Sequence, residues 1–105
     1  MTAKKQTARQ TTESRAQASS GNVFLDLGFD EAEARVLLMR TDLMIEMEKH
    51  IAAQGWTQAE AAKRMGISQP RVSKLKKKAW DEFSLDMLLT LAGRIGMHPE
   101  LRIAA

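Results

Sequence analysis

The chain contains no cysteine, which excludes disulfides and thiolate metal sites and suits a reducing, cytoplasmic compartment. It has only two histidines, His50 and His98, too few to build a zinc site by themselves. No apolar run approaches the roughly 20 residues needed to span a bilayer, and the polar N-terminus lacks the apolar stretch of a signal peptide. The reading is therefore of a soluble, cytoplasmic protein without a membrane partner. Paired carboxylates, metal-ligand clusters and a nucleophile with a matching base are also missing at any useful spacing. Asp81 and Glu82 are adjacent and read as solvated, and His50, near Glu46 and Glu48, reads as a surface histidine. No catalytic residue, metal or cofactor is expected, and the chain does not read as an enzyme.

What is present suits one small domain. The 105 residues are 44% hydrophobic and 28% charged, enough to bury a single core. The formal net charge of +3 is unevenly spread. Residues 1 to 20 carry Lys4, Lys5, Arg9 and Arg15 against Glu13 and hold no large apolar residue after Met1, so residues 1–22 read as a disordered basic arm. Residues 30 to 60 hold the acids Asp30, Glu31, Glu33, Asp42, Glu46, Glu48 and Glu60 against Arg35, Arg40 and Lys49. Residues 61 to 80 hold no acid and carry Lys63, Arg64, Arg71, Lys74, Lys76, Lys77 and Lys78. A run of that kind is the footprint of a surface that meets phosphate, although a solvated basic face has the same composition.

Helix punctuation is clear along the chain. Val23, Phe24, Leu27 and Phe29 form an apolar patch, and Asp30-Glu31-Ala32-Glu33 places acids at a helix start. From Glu31 to Gln54 there is neither Pro nor Gly, and Leu43, Met44, Met47 and Ile51 recur at helical spacing before Gly55. That stretch is one helix or two. Val36, Leu37, Leu38, Met39 and Ile45 add apolar surface beyond a single stripe, which packing on several sides or a partner surface would explain, and Met39, Met44 and Met47 read as core filler. Thr57-Gln58-Ala59-Glu60 has the form of a capping box with reciprocal hydrogen bonds. The helix it starts runs to Met65, where Gly66 ends it. Ser68 then caps a further helix whose first turn takes Pro70. Ala79 to Phe83 reads as a loop with Trp80 and Phe83 packed on the core. Ser84 caps a last helix with Leu85, Leu88, Leu89, Ala92 and Ile95 as its stripe and Gly96 as its stop. The alternation Leu101-Arg102-Ile103 suggests a short strand pairing with a second subunit.

Residues 57 to 77 satisfy the size demands of two helices crossed at a tight turn. Ala62 is small where the helices approach, Gly66 makes the turn, and Ile67, Val72 and Leu75 anchor the pair. The segment Trp56-Thr57-Gln58-Ala59-Glu60-Ala61-Ala62 resembles the helix-turn-helix of Cro/cI-like (XRE) regulators. The wider stretch from Leu27 to Gly96, with Ser68-Gln69-Pro70-Arg71-Val72-Ser73 and Phe83-Ser84-Leu85-Asp86, resembles the branch that includes HigA-like antitoxins. One departure is the loop glycine usual after the second motif helix, replaced here by Lys76-Lys77-Lys78-Ala79.

The resemblance implies an all-α fold, a small helical bundle, with the DNA-binding domain over residues 23–96 and residues 97–105 as a tail. It implies double-stranded DNA as partner and a recognition helix over 68–77. Gln69 would read adenine, Arg71 guanine O6 and N7, and Ser73 and Lys74 further base edges or phosphates. Thr57, Gln58, Ser68, Lys76, Lys77 and Lys78 would meet phosphate. A dimeric repressor on a palindrome is the expectation. The alternative is an antitoxin that clamps a RelE/HigB-like toxin with the extra apolar surface of residues 23 to 45, or with the arm, while its helix-turn-helix represses the shared operon.

Overall fold

The computed structural model describes residues 21–104. Of the arm expected over residues 1–22, residues 1–20 lie outside the described residues, as does the terminal Ala105; at its end the expectation is corrected, since Asn22 is buried and caps a helix. Those described divide after Leu38 into two units.

In the first unit, Asn22 begins a short helix, α1 (Val23–Asp26), that the sequence pattern did not announce. Its Oδ1 accepts from the Phe24 amide at 2.9 Å and its Nδ2 donates to the Ala34 carbonyl at 3.2 Å. One buried amide thus satisfies groups on two segments, which is how a buried polar side chain avoids an unpaired desolvation cost. Phe24 is buried and meets the Phe29 ring edge-on at 6.1 Å. Helix α2 (Glu31–Gln54) opens here. Asp30 Oδ1 accepts from the Glu33 amide at 2.7 Å, the cap that the acids predicted. Ala34 and Leu37 are buried, whereas Val23, Leu27 and Val36 stand in solvent.

The second unit takes α2 from Met39 onward, as one unbroken helix. Met44 and Met47 are fully buried, as core filler should be, but Met39 is 45% exposed and is no part of the core. Gly55, at φ 74°, ends the helix. Helices α3 (Gln58–Met65) and α4 (Gln69–Lys76) follow, then a 3-10 turn over Trp80–Glu82 and helix α5 (Leu85–Arg94). Ala61, Ala62, Met65, Val72, Leu75, Phe83, Leu88, Leu91, Ala92 and Ile95 close the core around the two methionines, with Trp56, Ile67 and Trp80 packed at its edge. Arg40 of α2 donates to the Trp80 carbonyl at 3.1 Å.

Three expectations are corrected. Leu89 is 41% exposed and Leu91 is buried, so the inner stripe of α5 is Leu88, Leu91, Ala92 and Ile95. His50 is not a free surface group: its Nε2 lies 2.7 Å from the Ile95 carbonyl and its ring stands edge-on to Trp56. Leu101 to Ile103 form no strand, and the described residues contain none. The fold is all-α.

Candidate nucleic-acid interface

The two helices of the motif are set by local chemistry. Thr57 Oγ1 accepts from the Glu60 amide at 3.1 Å, one half of the expected capping box. The other half is redirected, because Glu60 Oε2 pairs with Arg64 Nε one turn on, at 2.9 Å. Gly66 adopts φ 72° and ψ 31°, the left-handed cap that releases the chain into a turn of two further residues. Ser68 Oγ then accepts from the Arg71 amide at 3.3 Å, and Pro70 occupies the first turn of α4, where its missing N–H costs nothing. Ala61, Ala62 and Met65 of α3 and Val72 and Leu75 of α4 are buried between them.

Two side chains tie this hairpin from outside. Gln58 Nε2 donates to the Gln69 carbonyl at 3.0 Å, joining the starts of α3 and α4. Arg94 of α5 donates from Nη1 to the Met65 carbonyl at 2.8 Å, meeting an end-of-helix carbonyl with positive charge. Arg94 carried no sequence signal, since its partner is 29 residues away. Arg64 also lies 4.3 Å from the centroid of Trp56, so both ends of α3 are braced by guanidinium groups or caps.

With Val72 and Leu75 turned inward, α4 leaves Gln69, Lys74, Lys76 and Lys77 exposed and Arg71 and Ser73 half-buried. The remaining predicted positions behave differently. Arg71 does not stand free: its guanidinium lies 4.4 Å from the centroid of the Phe83 ring, and Nη1 donates to the Glu82 carbonyl at 3.3 Å. Lys74 Nζ is 3.4 Å from Glu82 Oε1. Lys78 takes φ 59°, the left-handed conformation that a loop glycine would supply, and its Nζ pairs with Glu48 of α2 and donates to the Lys76 carbonyl. So Gln69, Lys74, Lys76 and Lys77 lie together on the solvent face, while Arg71 and Lys78 are engaged within the fold.

Glu82 and Phe83 were not singled out as site residues in the sequence. They follow α4 by several residues, and only the 3-10 turn over Trp80–Glu82 brings them against it. Among the described residues no helix is long and apolar enough to cross a membrane, and no three acidic or histidine side chains converge to hold a metal ion.

A family model described as a helix-turn-helix domain matches residues 23–104 of this chain. No curated protein and no solved structure matches it.

Proposed function

The chain belongs to the helix-turn-helix domain family, a family of DNA-binding domains, and on that premise we propose that it is a sequence-specific transcriptional regulator of the Cro/cI-like (XRE) kind. In this reading it is a dimeric repressor, and α4 enters the major groove of each half of a palindromic operator. Residues 23–96 make up the DNA-binding domain. The observation that carries the reading is the composition of α4 and its exit. Gln69, Lys74, Lys76 and Lys77 are in solvent, and no acid occurs between Ala61 and Trp80.

The roles follow from donor geometry. Gln69 reads adenine N6 and N7, and Arg71 swings off Phe83 to present its fork to guanine O6 and N7. Ser73 and Lys74 reach neighbouring base edges or phosphates. Lys76 and Lys77 neutralise phosphate, as do Thr57, Gln58 and Ser68 at the helix starts. Gln58 acts chiefly by holding the Gln69 backbone in place, and Lys78 reaches phosphate only by leaving Glu48.

A second reading, an antitoxin that binds a RelE/HigB-like toxin and represses their shared operon, is favoured by Val23, Leu27 and Val36, which the first unit leaves exposed. Its cheap discriminator is a small neighbouring gene for a basic nuclease whose product co-purifies with this chain.

Fluorescence anisotropy with the protein's own upstream duplex and a shuffled duplex, over a range of salt, tests the primary reading. For about eight phosphate contacts per dimer the slope of log affinity against log salt is about −7, with the upstream duplex preferred by orders of magnitude. Weak, salt-insensitive and equal binding to both duplexes overturns it.

A further inference from the structure

Among the described residues, Glu82 is the carboxylate that pairs with a cation of α4. It follows the acid-free stretch from Ala61 to Trp80 and is carried back by the 3-10 turn Trp80–Glu82. Its backbone carbonyl accepts from Arg71 Nη1 at 3.3 Å, and its Oε1 lies 3.4 Å from Lys74 Nζ. Both cations belong to the face assigned to DNA, and both are held by the same residue.

As a source of stability this pair counts for little. The Lys74 and Glu82 side chains are 49% and 38% exposed, and an ion pair so open to solvent is screened and entropically costly. On a DNA-binding surface the same pair has a different consequence. A carboxylate offers a lysine what a phosphate offers it, two anionic oxygens, but without releasing any counterion from DNA. While Lys74 is on Glu82 it neutralises no phosphate, and Glu82 itself repels the backbone that approaches α4.

We propose that Glu82 is an intramolecular competitor of the DNA phosphate for Lys74, which lowers non-specific affinity and flattens the salt dependence of DNA binding. Non-specific binding is almost wholly electrostatic, so a competitor of this kind acts on it most directly. Arg71 is affected less, since it is held by the Glu82 main chain and by Phe83 and keeps both partners when the carboxylate is changed. The inference rests on α4 being the DNA-facing helix.

The test is a salt titration of the wild type, Glu82→Gln, Lys74→Ala and the double variant on the shuffled duplex and on the upstream duplex. Glu82→Gln keeps the side-chain size and the carbonyl that Arg71 uses. It is expected to tighten binding to shuffled DNA several-fold at low salt. It should also steepen the slope by about 0.9 per protomer, the contribution of one further phosphate contact. In the Lys74→Ala background the same change should leave the slope unaltered. An unchanged slope for Glu82→Gln overturns the competition. So does an equal steepening in the Lys74→Ala background, which would make Glu82 a matter of bulk charge. Absence of salt-dependent DNA binding by the wild type overturns the DNA-binding role itself, a failure visible before any variant is compared.

Discussion

Arg71 lies with its guanidinium 4.4 Å from the centre of the Phe83 ring, twelve positions along the chain and beyond a 3-10 turn. The stack restrains a side chain whose five donors would otherwise sample solvent, and a cation over an aromatic ring is worth about 0.5–2 kcal/mol depending on desolvation. An arginine restrained in this way loses less entropy when it is placed in a groove, provided that it can leave the ring for the base.

Arg71 and Lys77 should therefore respond differently to truncation. Arg71→Ala should cost about 1–3 kcal/mol on the upstream duplex and relax base choice at one position of each half-site, with little loss on shuffled DNA. Lys77→Ala should weaken both duplexes alike and reduce the salt slope by about one per protomer. Anisotropy against single-base variants of the duplex separates the two, and equal losses on both duplexes for both variants would refute the assignment of roles. Arg71→Lys keeps the charge but loses the fork and the planar stack, so it should behave on specific DNA more like the alanine variant than like the wild type.

Much of this site was legible in the sequence because it is local. Thr57, Ser68 and Ser84 each bond an amide three residues on, and Gly66 is needed where the chain turns left-handed, so caps and turn could be read from spacing alone. What escaped depends on contacts distant in sequence. The pattern Leu85, Leu88, Leu89, Ala92, Ile95 is as regular as the true inner stripe, and only packing selects Leu91 over Leu89. Arg71 looks like an outward base reader until Phe83 is in place, and Lys74 looks free until Glu82 arrives. α1 is too short for periodicity to show, and although Asn22 caps it by accepting from the Phe24 amide, its second bond, to the Ala34 carbonyl, reaches twelve residues along the chain.

Lys78 provides a test of backbone strain. At φ 59° it occupies a region that costs an L-residue about 1–2 kcal/mol, and its side chain is tied to Glu48. Lys78→Gly and Lys78→Ala both lose that ion pair, so their difference isolates the backbone. Glycine should be more stable than alanine here by about 1 kcal/mol, the relief of strain being partly offset by its freer unfolded chain. Urea unfolding of the two variants, compared at equal m-value, measures it. Alanine equal to or above glycine would show that the chain does not take the left-handed conformation at this position.

His50 should matter to stability and not to DNA. Its Nε2 meets the Ile95 carbonyl just past the end of α5, and His50→Ala leaves that carbonyl without this partner. A loss of about 0.5–1.5 kcal/mol is expected, the usual net worth of one such hydrogen bond. DNA affinity at a temperature where both proteins are folded should be unchanged, because the imidazole meets Ile95 and Trp56, neither of which lies on α4. A fall in affinity without a fall in stability would place His50 in the interface instead.

The α5 stripe gives the sharpest test of the fold. Leu91 is fully buried among core residues, while Leu89, two positions earlier, is 41% exposed. Leu91→Ala removes buried methyl groups and leaves a cavity, for which about 2–5 kcal/mol is expected. Leu89→Ala removes surface that water already reaches, and should cost within about 0.5 kcal/mol. Denaturant midpoints at constant m-value report both changes. Should Leu89→Ala prove costly as well, and less so as protein concentration falls, Leu89 would lie beneath a second subunit, since the loss then fades as the wild type itself dissociates. Should it prove costly at every concentration alike, the stripe suggested by spacing would be the correct one and α5 would be rotated by ~50°, half a residue's turn, from its position in the structure.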